Sequence, residues 1–115
     1  MSVENAFEAT VEVIISEVRS SFDLCLNCFT SGLHEEIRLF DGVIGESCGL
    51  RRHVVAVRKG ECLDLKFKVG LGPDFFGEHC RSFKATNHGC VNQQIKIELA
   101  LVSLKVNWSS LAYIF

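Results

Sequence analysis

Apolar and polar residues alternate along most of the chain, and this alternation predicts short β-strands. Between Phe7 and Ile15 an apolar side chain stands at every second position, with mostly polar residues between. A repeat of two turns one side of a strand toward a core and the other toward solvent. A helical face also fits this segment. The β-branched residues within it favour the strand, because they lose rotamer freedom in a helix.

The same alternation recurs further along the chain and predicts further strands. These segments are residues 22–28, 36–40, 53–57 and 63–69. Ser20-Ser21 separates the first two strands, so residues 7–16 and 22–28 are predicted to form a hairpin. Asp41-Gly42 is expected to end the third strand, since this pair accepts positive φ. The breaker at residues 70–74 is expected to reverse the chain or carry it across the fold.

The last third of the chain predicts less regular structure. An edge strand is expected near residues 81–85 and a turn at residues 87–89. Apolar residues occupy odd positions before residue 101 and even positions after it. Within one strand this slip implies a β-bulge or bend near residue 101. A helix over residues 94–104 is the alternative interpretation.

About seven short strands separated by Gly-marked turns predict an all-β fold, an antiparallel β-sandwich. With 115 residues the chain is expected to form a single domain over residues 1–115. Residues 110–115 are expected to form an apolar C-terminal tail.

Composition and charge narrow the classes of partner. The 12 Lys and Arg residues and 14 Asp and Glu residues give a net charge of −2, so no basic excess points to nucleic acid. The chain shows neither the pattern of a secretory signal nor an apolar run approaching the roughly 20 residues of a membrane span. We expect a cytoplasmic protein that binds other proteins, with no nucleic-acid or membrane partner. The composition leaves the oligomeric state open.

The six cysteines raise the question of a structural zinc site. Its candidate ligands are Cys25, Cys28, Cys80, Cys90, His79 and His88. Residues three apart on a strand face opposite sides, so Cys25 and Cys28 are not expected to share an ion. We expect Cys28 in the core, Cys25 partly exposed, and free thiols rather than disulfides in a reducing compartment.

The pattern favours no catalytic site and no cofactor. A nucleophilic mechanism needs a base within reach and a third orienting group, and the spacing of Cys and His predicts no such arrangement. Arg51-Arg52-His53 and Arg58-Lys59 form a basic cluster. The cluster is interpreted either as an anion contact or as protection of an edge strand, and edge protection is favoured.

Five segments carry a resemblance to a known family. They are residues 7–13, Thr30-Ser31, residues 37–41, residues 50–57 and residues 104–109. Together they resemble an uncharacterised plant domain of unknown function that is abundant in cereal grasses. That domain occurs alone or fused to ribosome-inactivating (rRNA N-glycosidase) proteins of the jasmonate-induced type. The resemblance covers nearly the whole chain and is to the C-terminal half of the family's domain.

The resemblance implies a stress- or defence-associated module that is not itself a toxin. Half of a larger sandwich would leave strand edges and an apolar face open. We therefore expect a non-enzymatic protein-interaction module. The alternatives are a small zinc-binding domain that uses the four cysteines named above, and a regulatory domain associated with a ribosome-inactivating partner.

Overall fold

The computed structural model describes residues 6–30, 36–86 and 88–110, and it confirms the all-β fold. Within these ranges the chain forms nine strands and no helix that would span a membrane. The strands are β1 (Ala6–Ser16), β2 (Phe22–Thr30), β3 (Ile37–Ile44), β4 (Cys48–Gly49), β5 (His53–Arg58), β6 (Cys62–Leu71), β7 (Asp74–Lys84), β8 (His88–Lys96) and β9 (Leu101–Ser110).

Two antiparallel sheets form the layers of the sandwich. Sheet A has the order β4-β1-β9-β8, and β5 pairs with β1 on the same side as β4. Sheet B has the order β3-β2-β6-β7. The edges of the sandwich are therefore β3 and, in sheet A, β5 with the two-residue β4 on one side, and β7 and β8 on the other.

The core lies between the sheets, and one side chain in two from each central strand fills it. In β1 the buried positions run from Phe7 to Ile15, as the alternation predicts, and in β6 they run from Leu63 to Val69. The largest fully buried side chains come from both sheets: Phe22, Phe67, Ile15, Leu24, Leu26, Leu63, Leu65 and Leu104. Burial of these apolar surfaces is the main stabilising contribution to the fold.

The predicted hairpin between the first two strands is wrong. β1 lies in sheet A and β2 in sheet B, so residues 17–21 cross from one sheet to the other. Glu17 takes a positive φ of 51° at the start of this crossing. A short connection can join two neighbouring strands of one sheet or two strands of different sheets. The alternation within the strands does not distinguish these two cases. β5 and β6 likewise lie in different sheets, joined by a turn in which Gly60 has a φ of 86°.

Asp41-Gly42 does not end the third strand, because β3 continues to Ile44. Gly42 is not among the residues with positive φ. Its missing side chain instead leaves room for the ring of Phe40, whose Cζ lies 3.2 Å from the position that a Cβ would take.

The change of pattern near residue 101 is a chain reversal between two paired strands. β8 ends at Lys96 and β9 begins at Leu101. The Ile97 N–H donates to the carbonyl of Ala100 at 3.0 Å and closes the turn. The two apolar sets therefore belong to neighbouring strands with an unbroken register. The predicted β-bulge or bend within one strand is wrong, and so is the alternative helix over residues 94–104.

The edge strand expected near residues 81–85 is part of β7, which pairs only with β6 among the described strands. β7 is longer than predicted and begins at Asp74. The turn predicted at residues 87–89 includes Asn87, which lies outside the described residues, as does the tail from residue 111 onward. The breaker at residues 70–74 reverses the chain between β6 and β7, as predicted.

We predict that Gly70→Ala destabilises the fold by about 1–3 kcal/mol. A Cβ at Gly70 would lie 2.8 Å from the Cα of Phe75 and would clash with the backbone of Asp74, so β7 would have to move. Urea denaturation measures the change. Gly49→Ala is the matched control, because a Cβ there meets nothing within 4 Å, and a similar loss in both variants would contradict the prediction.

Candidate functional site

The candidate zinc ligands lie on different surfaces of the sandwich. Cys28 is fully buried in the core, whereas Cys25 points to the outer face of the same strand. Cys80 is exposed on the outer face of sheet B and Cys90 on that of sheet A. The whole core separates Cys80 from Cys90, so these four cysteines do not form one tetrahedral site.

The two histidines do not complete a metal site either. His79 lies on β7 and His88 begins β8. No group of three His, Cys, Asp or Glu side chains in residues 6–30, 36–86 and 88–110 could hold a metal ion. The structure thus gives the zinc alternative no ligand set.

The burial of Cys28 agrees with the sequence-based expectation, whereas the burial of Cys25 does not. Cys28 lies in the core as expected, and its burial raises the pKa of the thiol to about 11. Cys25 is only 6% exposed, which overturns the expected partial exposure. It lies on a central strand, next to the equally buried Asn27, whose Oδ1 is 3.9 Å from the Cys25 Sγ. A central position in a sheet thus buries even an outward-facing side chain.

We predict that Cys80 and Cys90 react with iodoacetamide well before Cys28. The exposed thiols meet the reagent freely, whereas Cys28 is fully buried and its raised pKa leaves almost no thiolate at about pH 8. Mass spectrometry of peptides from the folded protein measures the modification. Unfolding in urea should expose Cys28, and equal rates for the three cysteines in the folded protein would contradict the prediction.

His79 takes part in a contact that closes the β7 side of the sandwich. Its Nε2 lies 3.0 Å from Oε1 of Glu98, in the turn between β8 and β9. The Glu98 carboxylate fills the position that a Cβ would take at Gly77, so a larger residue there would displace this carboxylate. The hydrogen bond from His79 and one from the backbone lower the pKa of Glu98. This contact ties the edge of sheet B to sheet A.

We predict that the contact stabilises the fold above about pH 4.5 and weakens as the pH falls toward 3. A carboxyl group with a lowered pKa in the folded state contributes stability that is lost when it is protonated. The difference in Tm between the wild type and Glu98→Gln should therefore shrink between about pH 6 and pH 3. Glu46→Gln, in an exposed loop, is the control, and a Tm difference independent of pH would refute the expectation.

A groove of about 320 Å³ lies at the edge strands β3 and β5 on the other side of the sandwich. Ile37 and Leu39 of β3 and residues 53–56 of β5 line it, and among the β5 residues Val55 faces inward whereas Val54 and Ala56 face outward. We call these two edges and the groove the open side. Within the described residues β3 pairs only with β2, and β5 only with β1.

Edge strands carry unpaired backbone groups, and charges or bulges usually protect them from pairing with other chains. β3 has a break in register at Leu39 and an ion pair of 3.1 Å between Arg38 and Asp41. β7 has a break in register at Phe76 and carries the charged Glu78. β8 has a regular register, but its middle is polar, with Asn92, Gln93 and Gln94.

β5 has none of these protections along its middle. Its pairing with β1 is unbroken over six residues, and residues 54–57 are all apolar. Val54 is 59% exposed and Ile37, across the groove, is 44% exposed. Of the four edges in the described part of the chain, β5 is the one that is both regular and apolar. The open side is therefore the candidate functional site.

The basic cluster lies at the two ends of β5. Arg51 and Arg52 precede the strand, Arg58 ends it and Lys59 follows. The Nε of Arg52 lies 3.3 Å from Oε1 of Glu12 on β1. The sequence interpretation thus found the edge strand, but the structure shows that the charges flank it and leave its middle open.

A second concave surface lies on the outer face of sheet A. This depression of about 470 Å³ is lined by polar side chains, including Asn92, Gln94 and Ser103, and by the apolar Ile14 and Leu104. Glu12 lies there between Arg52 and Lys105, whose Nζ is 4.0 Å from the carboxylate. Two cations thus compensate the charge of this carboxylate.

Comparison with known proteins yields one match. A family model described as "Domain of unknown function (DUF6598)" matches residues 1–106. No curated protein and no solved structure matches the chain.

Proposed function

The chain belongs to the DUF6598 family of domains of unknown function, and we propose that it is a non-enzymatic protein-interaction module that binds through the open side. The observation that supports this proposal is β5, a regular apolar edge strand beside an apolar groove. Such an edge offers backbone donors and acceptors in a row, to which an extended segment of another protein adds as a further strand.

The side chains around the groove support binding of a polypeptide. Val54 and Ile37 expose apolar surface that a partner's side chains would remove from water. A strand added to β5 alternates its side chains, so one set faces the groove and the other lies beside Val54 on the outer face. Acid-base chemistry needs positioned titratable groups, whereas this groove is bordered by apolar side chains and His53.

The resemblance to a plant domain adds a narrower proposal. On that resemblance the module is a stress- or defence-associated plant protein, and a ribosome-inactivating N-glycosidase domain is one class of partner that it would regulate. A purified N-glycosidase domain tests this directly. Binding that slows ribosome depurination supports the proposal, and depurination unchanged by saturating amounts of this chain removes it.

We predict that Val54→Lys abolishes selection of binding peptides on the open side. In a display library of random extended peptides, the wild type should enrich sequences with alternating apolar residues. A lysine at position 54 places a charge on the open edge, which blocks strand addition. Enriched peptides should bind the variant at least about tenfold more weakly.

Val43→Lys is the matched control for this selection. Val43 is an equally β-branched, exposed residue on an edge strand, but it lies on β3 and is 66% exposed outside the groove. Peptides that pair with β5 should keep their affinity for this control. Peptides that bind all three proteins equally, or a library without enrichment, would overturn the proposed function.

A further inference from the structure

We infer that the partner is an extended segment with a centre of about six apolar or β-branched residues and acidic residues at both ends, which pairs with β5. This inference rests on the proposed function and names the chemistry of the partner. It follows from the length of the open edge, the pattern of side chains along it and the charges at its ends.

The length of β5 sets the length of the partner's centre. Six residues of extended chain span about 20 Å. The apolar middle at residues 54–57 calls for apolar or β-branched residues in the partner. Every second one of them would face the groove, where Ile37 and Leu39 provide apolar contacts from the other sheet. A polar residue at those positions would be buried without a partner.

The charges at the two ends of β5 favour acidic residues beyond this centre. Residues 51–59 contain four basic residues and no acidic one. Arg52 is engaged with Glu12, whereas Arg51, Arg58 and Lys59 form no ion pair with any residue that the structure describes. Glu8 and Glu12 on the neighbouring β1 and Glu61 after the β5–β6 turn offset this charge. Arg51, Arg58 and Lys59 nevertheless lie exposed at the ends of β5, where a partner strand would reach them first.

Because exposed cations lie at both ends of β5, a partner strand meets cations at its two ends in the parallel and in the antiparallel direction. Acidic residues at both ends of the partner therefore satisfy either orientation. Acidic residues at the ends of a partner strand complement the cations at the ends of β5. Such complementary charges set the register of the partner and speed its association. Solvent-exposed pairs are screened by salt, so the preference should weaken as the ionic strength rises.

The same charges argue against a second copy of this chain as the occupant. A symmetric dimer would pair β5 with β5 in the antiparallel direction. That arrangement would place Arg58 and Lys59 of one copy beside Arg51 and Arg52 of the other. Like charges facing each other across a strand pair are destabilising. The open side therefore favours a polypeptide other than a second copy of this chain, and the isolated chain should stay monomeric.

Three synthetic peptides test the inference. The first has two aspartates on each side of a Val-Thr-Val-Thr-Val centre. The second replaces the aspartates with lysines, and the third keeps the aspartates but places proline at the central position, which removes a backbone donor. Fluorescence anisotropy measures binding of each peptide to the protein at low and at high salt.

The aspartate peptide should bind at least about tenfold more tightly than the lysine peptide at low salt. The preference should shrink in high salt, and the proline peptide should lose most of its affinity. An Arg51→Glu/Arg58→Glu variant should reverse the order and prefer the lysine peptide. Lys84→Glu/Lys96→Glu is the control, because it makes the same change of charge on the opposite edges β7 and β8.

The outcomes separate this inference from the proposed function. Equal binding of the aspartate and lysine peptides would overturn the acidic partner and leave strand binding intact. No binding of either, with library peptides that still need Val54, would also overturn the inference alone. Loss of the Val54 dependence in the library would overturn the proposed function itself. A dimer in light scattering that Val54→Lys abolishes would show that a second copy is the occupant.

Discussion

Burial of one face of every central strand between the two sheets is the constraint on which the rest of this structure depends. β1, β2, β6 and β9 meet it by placing an apolar residue at every second position. Two layers built in this way have four edges, and each edge needs its own protection. The Glu98 and His79 contact joins the layers on one side, whereas a groove separates them on the other.

The alternation predicted the buried faces well and the strand partners poorly. Phe7 to Ile15 and Leu63 to Val69 were identified as inward-facing because local pattern determines which side is apolar. Pairing depends on contacts between distant segments, so the hairpin between β1 and β2 was predicted wrongly. The exposure of Cys25 was also misjudged, because burial of an outward-facing residue depends on the strands beside it.

The open side could be predicted only in part. The basic residues around β5 and its apolar middle are adjacent in sequence, and both were visible there. The groove also needs Ile37 and Leu39, which come from a different sheet and were predicted only as part of a strand. Glu98 and Gly77 are likewise far apart in sequence, and their contact arises from the meeting of β7 with the turn before β9. Local pattern carries no information on such meetings.

The pairing of β1 with β9 has a consequence for the order in which the fold forms. These strands pair over ten residues, from Phe7 with Ser110 to Ser16 with Leu101. During synthesis β1 therefore remains without its central neighbour until nearly the whole described chain has been made, whereas sheet B is complete at Lys84. Contacts between segments so distant in sequence slow folding. Sheet B can assemble first on the ribosome, and the last strand then inserts between β1 and β8.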